Sequence, residues 1–274
     1  MISFDAKDNY NIEDLLHIVE LLRNPDGGCP WDKEQTHKSI KMNFIEETYE
    51  VADAIELEDK HLLCEELGDI LLQVALHTEM EREVGGFTFD EVCDGICKKL
   101  IYRHPHVFGD TVAANSKEVL ATWEKLKQSE KGRDTAQNNL ESVPKHFPAL
   151  MRAEKLGKRA GTYGYDFQDV NFALDALDGE IAELRCAIQA NDANNIASEL
   201  GDVLFSAVNV GRKLKVNSEQ ALTLANDKFV SRVTKAEQIA AAKGEKLKEL
   251  DAAQLDELWN KAKAETNCIG DALN

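Results

Sequence analysis

The chain has 274 residues, with 50 Asp and Glu against 32 Lys and Arg, for a net charge of −18. That length accommodates two modest domains, each able to bury its own core. The acidity, with no basic block, argues against a nucleic-acid-binding surface, because phosphate backbones need clustered Lys and Arg.

Read from its beginning, the chain opens on Met1 to Asp8 without the charged-then-apolar layout of a signal peptide. No apolar run approaches the ~20 residues of a membrane span. The cysteines at 29, 64, 93, 97, 186 and 268 are scattered, and the Cys93–Cys97 spacing is neither a redox pair nor a zinc knuckle. They read as reduced thiols in a cytoplasmic protein.

Leu63, Leu67, Ile70, Leu71 and Val74 follow the three-and-four spacing of a helix face. This first hairpin turns near Glu58-Asp59-Lys60, and Gly85-Gly86 ends its second helix. Residues 128–146 are polar and break the periodicity, as a linker would. The organisation expected is therefore a first repeat over 1–130, a linker over 131–147 and a second repeat over 148–274. After Pro148 there is no proline, which favours continuous helix. Ile196, Leu200, Val203, Leu204 and Ala207 repeat the apolar face, with a turn near Asn191-Asp192-Ala193. No strand alternation competes, so the fold expected is all-α, two tandem helical bundles.

Shifting the chain by 133 residues aligns its acids with themselves. Glu47 pairs with Glu180, Glu50 with Glu183, Ala54 with Ala187 and Ile55 with Ile188. Glu66 then pairs with Glu199, Leu67 with Leu200, Gly68 with Gly201 and Asp69 with Asp202. Residues three apart share a helix face. A hairpin thus brings four carboxylates together in each half: Glu47, Glu50, Glu66 and Asp69, then Glu180, Glu183, Glu199 and Asp202. Carboxylates at close range repel and need cations, and oxygen-only ligands select hard ions such as Mg²⁺, with Mn²⁺ as a substitute. Gly68 and Gly201, costly in mid-helix, suggest close helix packing beside that site.

Other parts recur at slightly different offsets. Lys99 and Arg103 resemble Lys228 and Arg232, each pair one turn apart. Trp123 and Lys127 resemble Trp259 and Lys263, and Trp31-Asp32 matches Tyr165-Asp166. Lys and Arg can neutralise phosphate charge, and an indole can stack on a base without reading its identity. No P-loop and no nucleophilic-serine elbow is present. A di-iron bundle is the rival metal chemistry, through Glu34 with His37 and Glu58 with His61. All seven histidines fall at or before His146, however, leaving the second acid set without one. A helical adaptor that binds nucleotide without cutting it is a further alternative.

Several strings resemble the MazG family of nucleoside triphosphate pyrophosphohydrolases in its two-repeat bacterial form. They are Gly28-Cys29-Pro30-Trp31-Asp32, Glu46-Glu47-Thr48-Tyr49-Glu50, Glu66-Leu67-Gly68-Asp69, Arg103-His104-Pro105-His106-Val107-Phe108 and Glu199-Leu200-Gly201-Asp202. The resemblance implies a homodimer of helical bundles and Mg²⁺-dependent cleavage of NTPs and dNTPs between the α and β phosphates. It implies that the second repeat carries most of the activity. Glu180, Glu183, Glu199 and Asp202 would then be metal ligands, with Glu180, Glu183, Lys228 and Arg232 serving catalysis. Lys228, Arg232, Trp259 and Lys263 would contact nucleotide. Where the first repeat has Glu46-Glu47, the second has Gly179-Glu180, a departure that keeps the ligand and weakens the helix locally.

Overall fold

A computed structural model describes residues 4, 6–113, 115–130 and 135–270. Residues 131–134 of the expected linker and the side chain of Cys268 lie outside the described residues. Among the described residues the regular structure is helical throughout. The chain divides into two compact units, Met1–Leu126 and Lys127–Asn274.

The first unit contains α1 (Ile12–Arg23), α2 (Lys41–Glu56), α3 (Lys60–Glu83), α4 (Phe89–Arg103) and the short α5 (Pro105–Phe108). Helix α6 (Ser116–Glu130) follows and spans the division between units. Caps set the helix starts. Asn11 and Asp14 form a capping box on α1, as Thr88 and Glu91 do on α4. The α2–α3 hairpin turns at Glu58, whose φ of 53° is left-handed, and Asp59 then caps α3 through the amides of His61 and Leu62. Val19 of α1, Ile40, and Ala75, Leu76 and Met80 of α3 form the core, with Leu15, Leu16 and Leu72 against it.

The second unit contains α7 (Ala136–Glu141), α8 (Ala149–Gly161), α9 (Val170–Ala190), α10 (Ala193–Leu214), α11 (Ser218–Ala242) and α12 (Ala252–Gly270). Its α9–α10 hairpin repeats the first hairpin's turn at the same offset. Asn191 has φ 54°, and Asp192 caps α10. Helix α8 packs on α10, while α11 and α12 close on each other through Ala236, Ala240, Leu258 and Ala262. Most of the 131–147 stretch is built into this unit: Asn139 and Val143 are buried, and Arg159 donates to the Asn139 carbonyl and to Ser142 Oγ at 2.6 Å.

Two details differ from expectation. A Cβ placed at Gly68 or Gly201 would meet nothing within 4 Å, so neither glycine marks a close helix approach. That approach occurs at Gly157 of α8, where a Cβ would lie 2.8 Å from Asn209 Oδ1 and 2.9 Å from Arg212 Nε. The repeated leucines also stay out of the cores. Leu67, Leu71, Leu200 and Leu204 are 45 to 51% exposed, because the periodicity that places them on one stripe does not say what covers it.

Candidate metal and nucleotide site

Each hairpin gathers carboxylates at one point. In the first unit Glu47 on α2 and Glu66 and Asp69 on α3 place oxygens within 4.8 Å of one another. In the second, Glu180 on α9 and Glu199 and Asp202 on α10 do the same, also within 4.8 Å. Three carboxylates at that spacing suit an oxygen-binding divalent cation.

The two clusters differ in their surroundings. Glu66 is buried, and burial pushes its carboxyl above the usual range, followed by the charges of Glu50, Asp69 and Glu65. Glu47 is raised by burial first, then by a hydrogen bond with Glu50, then by Asp69, Glu50 and Glu66. Glu180 is raised by burial, then by Asp202, Glu183 and Glu199, with Asp202 itself exposed. Glu50 hydrogen-bonds to both Glu47 and Glu66, whereas Glu183 acts on Glu180 through charge. In both clusters the charges that raise these groups, after burial, are those of neighbouring carboxylates, so negative charge is concentrated at one point.

The basic and aromatic residues lie on the other hairpin of the second unit. Lys228 is exposed on α11. One turn on, the Arg232 guanidinium sits 5.8 Å from the Trp259 ring, and the Phe229 ring is 5.6 Å from the same indole. Lys263 is exposed one turn beyond Trp259 on α12. The structure thus joins Arg232 to Trp259, an attraction between a cation and a ring face. The first unit repeats the pairing, with Arg103 5.4 Å from the Trp123 ring.

The di-iron reading has no support in this arrangement. Glu58 sits in a turn at φ 53°, His61 is exposed in the first turn of α3, and Glu34 ends a 3-10 turn, Asp32–Glu34. None of these joins a carboxylate cluster.

Sequence spacing missed one anchor. Asp166 accepts from Arg212 at 2.5 Å and from Lys213 at 2.9 Å, and these partners, Arg212 first, lower its carboxyl to about 2. The pairing spans 46 residues, beyond any helical period. Its one trace in the sequence is the match of Tyr165-Asp166 to Trp31-Asp32.

The family model for the MazG nucleotide pyrophosphohydrolase domain matches residues 35–108 and again residues 168–236, each match spanning one hairpin. The chain belongs to the MazG family. It is accordingly a hydrolase of the nucleotide pyrophosphohydrolase class, which acts on acid anhydrides. Among MazG relatives, it is 43% identical to the nucleoside triphosphate pyrophosphohydrolase of Escherichia coli K12, over 92% of this chain and 97% of that one. It is 41% identical to the nucleoside triphosphate pyrophosphohydrolase/pyrophosphatase MazG of Thermotoga maritima, over 92% of this chain and 95% of that one. The Mycobacterium tuberculosis nucleoside triphosphate pyrophosphohydrolase is 36% identical over 71% of this chain and 66% of its own.

Proposed function

We propose that this MazG chain converts NTPs and dNTPs, with Mg²⁺ or Mn²⁺, to NMP or dNMP and pyrophosphate, chiefly at its second unit. The observation that carries the reading is the convergence of Glu180, Glu199 and Asp202 within 4.8 Å. The donor set fits a hard cation: it is all carboxylate, and burial and mutual repulsion already raise Glu180. Glu180, Glu183, Glu199 and Asp202 would hold the ion. Bound there, Mg²⁺ supplies Lewis acidity toward phosphate oxygens and makes water a better nucleophile.

The chain's own residues do the rest. Water attacks the α-phosphorus, the α–β anhydride bond breaks, and pyrophosphate leaves. Glu183, exposed beside the cluster, accepts the proton of that water. Lys228 and Arg232 neutralise charge as it moves to the leaving pyrophosphate, and Trp259 and Lys263 complete the nucleotide contact. The first-unit set of Glu47, Glu50, Glu66 and Asp69 would hold a second ion of the same kind. The exposed leucine stripe of α10 supports a homodimer, and a chain of this acidity and thiol content fits the cytoplasm. No described helix is long and apolar enough to cross a membrane.

Product analysis with ATP and dUTP in Mg²⁺ tests the reaction. NMP and dUMP with pyrophosphate are expected. Nucleoside diphosphate with phosphate would refute the α-phosphorus assignment, and binding without turnover would favour an adaptor.

A further inference from the structure

Between α8 and α10 the second unit holds a cavity of about 350 Å³ that the proposed reaction does not use. Phe147 and, on α8, Leu150 and Leu156 line it, with Gly201, Leu204 and Phe205 on α10. Its two charged lining residues, Lys145 and Arg152, are both cations. Arg152 Nε is buried without a hydrogen-bond partner, and neither side chain forms an ion pair with a described residue. A donor taken from water without an acceptor costs free energy, and this chain, at a net charge of −18, does not lack carboxylates to supply one. Here it supplies none.

The surroundings add to this charge. Helix α1 of the first unit has Asn11 as its cap and Glu13 and Asp14 in its first turn. Helix α8 starts after Pro148 with no side-chain cap and no acid in its first turn. Its Met151 amide reaches Glu219 at 3.2 Å, while Ala149 and Leu150 line the cavity. The positive end of a helix thus lies beside the two cations. Gly201 leaves the opposite wall open, since a Cβ there would meet nothing within 4 Å.

From these observations we infer a second nucleotide site, for a nucleoside monophosphate, in which Arg152 and Lys145 hold the phosphate and Phe147 and Phe205 hold the base. A phosphate monoester carries about two negative charges at neutral pH, matching the two cations. Arg152 can donate from Nε and from a terminal nitrogen to two phosphate oxygens at once. Phe147 and Phe205, 36% and 41% exposed, offer ring faces on which any base can stack. A volume near the lower end for small-ligand cavities suits a mononucleotide better than a larger molecule. The choice of a nucleotide rests on the reaction proposed above, whose product this is. The preference for an anion rests on the cavity alone.

The site is distinct from the carboxylate cluster. At 3.6 residues per turn, Gly201, Leu204 and Phe205 face roughly 130° around α10 from Glu199 and Asp202. One helix therefore presents its acids toward α9 and an apolar, glycine-notched face toward α8.

The test uses the full chain in EDTA, so that no metal recruits phosphate to the carboxylates and no turnover occurs. AMP, adenosine and inorganic pyrophosphate are titrated calorimetrically into the wild type, Arg152→Gln, Lys145→Gln and Trp259→Phe. The wild type should bind AMP, and adenosine and pyrophosphate each about tenfold more weakly, since each keeps only one half of the contacts. Arg152→Gln should weaken AMP binding by about tenfold or more, Lys145→Gln by less, and Trp259→Phe should leave it unchanged. Lys145 is exposed, so Lys145→Gln decides the matter if circular dichroism shows that Arg152→Gln has not folded. No AMP binding by the wild type, or equal binding by the wild type and the folded cation variants, would overturn the site. Loss in Trp259→Phe alone would place AMP at the Arg232–Trp259 pair and overturn it too. Pyrophosphate binding as tight as AMP would overturn the nucleotide assignment. Failure of the proposed reaction shows separately, as missing NMP and pyrophosphate in the Mg²⁺ product analysis.

Discussion

In the first unit the segment after α1 is held by Arg23, itself 6% exposed. Arg23 grips Glu83 at the end of α3 through Nε at 2.7 Å and Nη2 at 2.8 Å, and donates to the carbonyls of Asp32 and Gln35. In the second unit the equivalent segment is held from the other side. Asp166 supplies a carboxylate, and Arg212 and Lys213 at the end of α10 supply the cations. The cores differ too. The first is filled by Val19, Ile40, Leu76 and Met80, the second mainly by alanines: Ala173, Ala187, Ala236, Ala240 and Ala262. Two copies of one acid-bearing hairpin therefore rest on different supports. The carboxylate geometry needs only the hairpin's local register, and the supports are free to vary around it.

The sharpest break in this comparison is catalytic. Glu183→Ala or Asp202→Ala should lower kcat/KM by about a thousandfold, roughly 4 kcal/mol of transition-state stabilisation, with the helical circular dichroism signal unchanged. Glu50→Ala and Asp69→Ala should leave most turnover in place. Steady-state kinetics on the four variants measures this, and equal losses in both sets would move half of the activity to the first unit.

The anchors come next. Arg23→Ala leaves Glu83 and two carbonyls without their donor and should destabilise the first unit by about 3 kcal/mol. Arg212→Ala should cost the second about 2 kcal/mol, since Asp166 keeps Lys213. Urea unfolding followed by tryptophan fluorescence compares them.

The Asp166 anchor also carries a pH signature. Its folded carboxyl titrates near 2, below the ordinary value of 3.8, so the unfolded chain binds its proton more readily. The resulting stability, about 2 kcal/mol, is fully present above that ordinary value and is lost as pH falls through the folded one. Asp166→Asn should flatten the acid limb of the stability curve between those values.

The smallest effect separates the clusters themselves. Glu66 and Glu180 are raised in the folded protein, so each favours folding at low pH and opposes it increasingly as pH rises through its folded value. Without divalent cation at neutral pH, Glu66→Gln should raise the melting temperature, and Glu180→Gln by less, because Glu66 is the more deeply buried. In saturating Mg²⁺ both substitutions should instead abolish part of the stabilisation that the ion confers.

How much of this was legible in the residues depends on range. The hairpin turns near Glu58 and Asn191 and the joining of Glu47 with Glu66 and Asp69 follow from spacing alone. Each rests on contacts within one helix turn or across one tight connection, where backbone geometry is nearly invariant. The pairing of Arg232 with Trp259 was visible as a set of residue types, but not as a contact. Gly68 and Gly201 were misleading, because a mid-helix glycine signals close approach only if a neighbouring helix lies on that face.

Periodicity and self-similarity were thus sufficient for an all-helical chain with two acid-bearing hairpins, while the resemblance to its family rested on motif strings such as Gly28-Cys29-Pro30-Trp31-Asp32 and Arg103-His104-Pro105-His106-Val107-Phe108. The close approach at Gly157, the opposite anchors at Arg23 and Arg212 and the meeting of His37 with His77 emerged only once helices were packed. Those contacts join residues 40 to 60 positions apart, so they depend on how helices cross and on which side chains fill the space between them. Crossing angles and packing are properties of the assembled core, and no local spacing rule contains them.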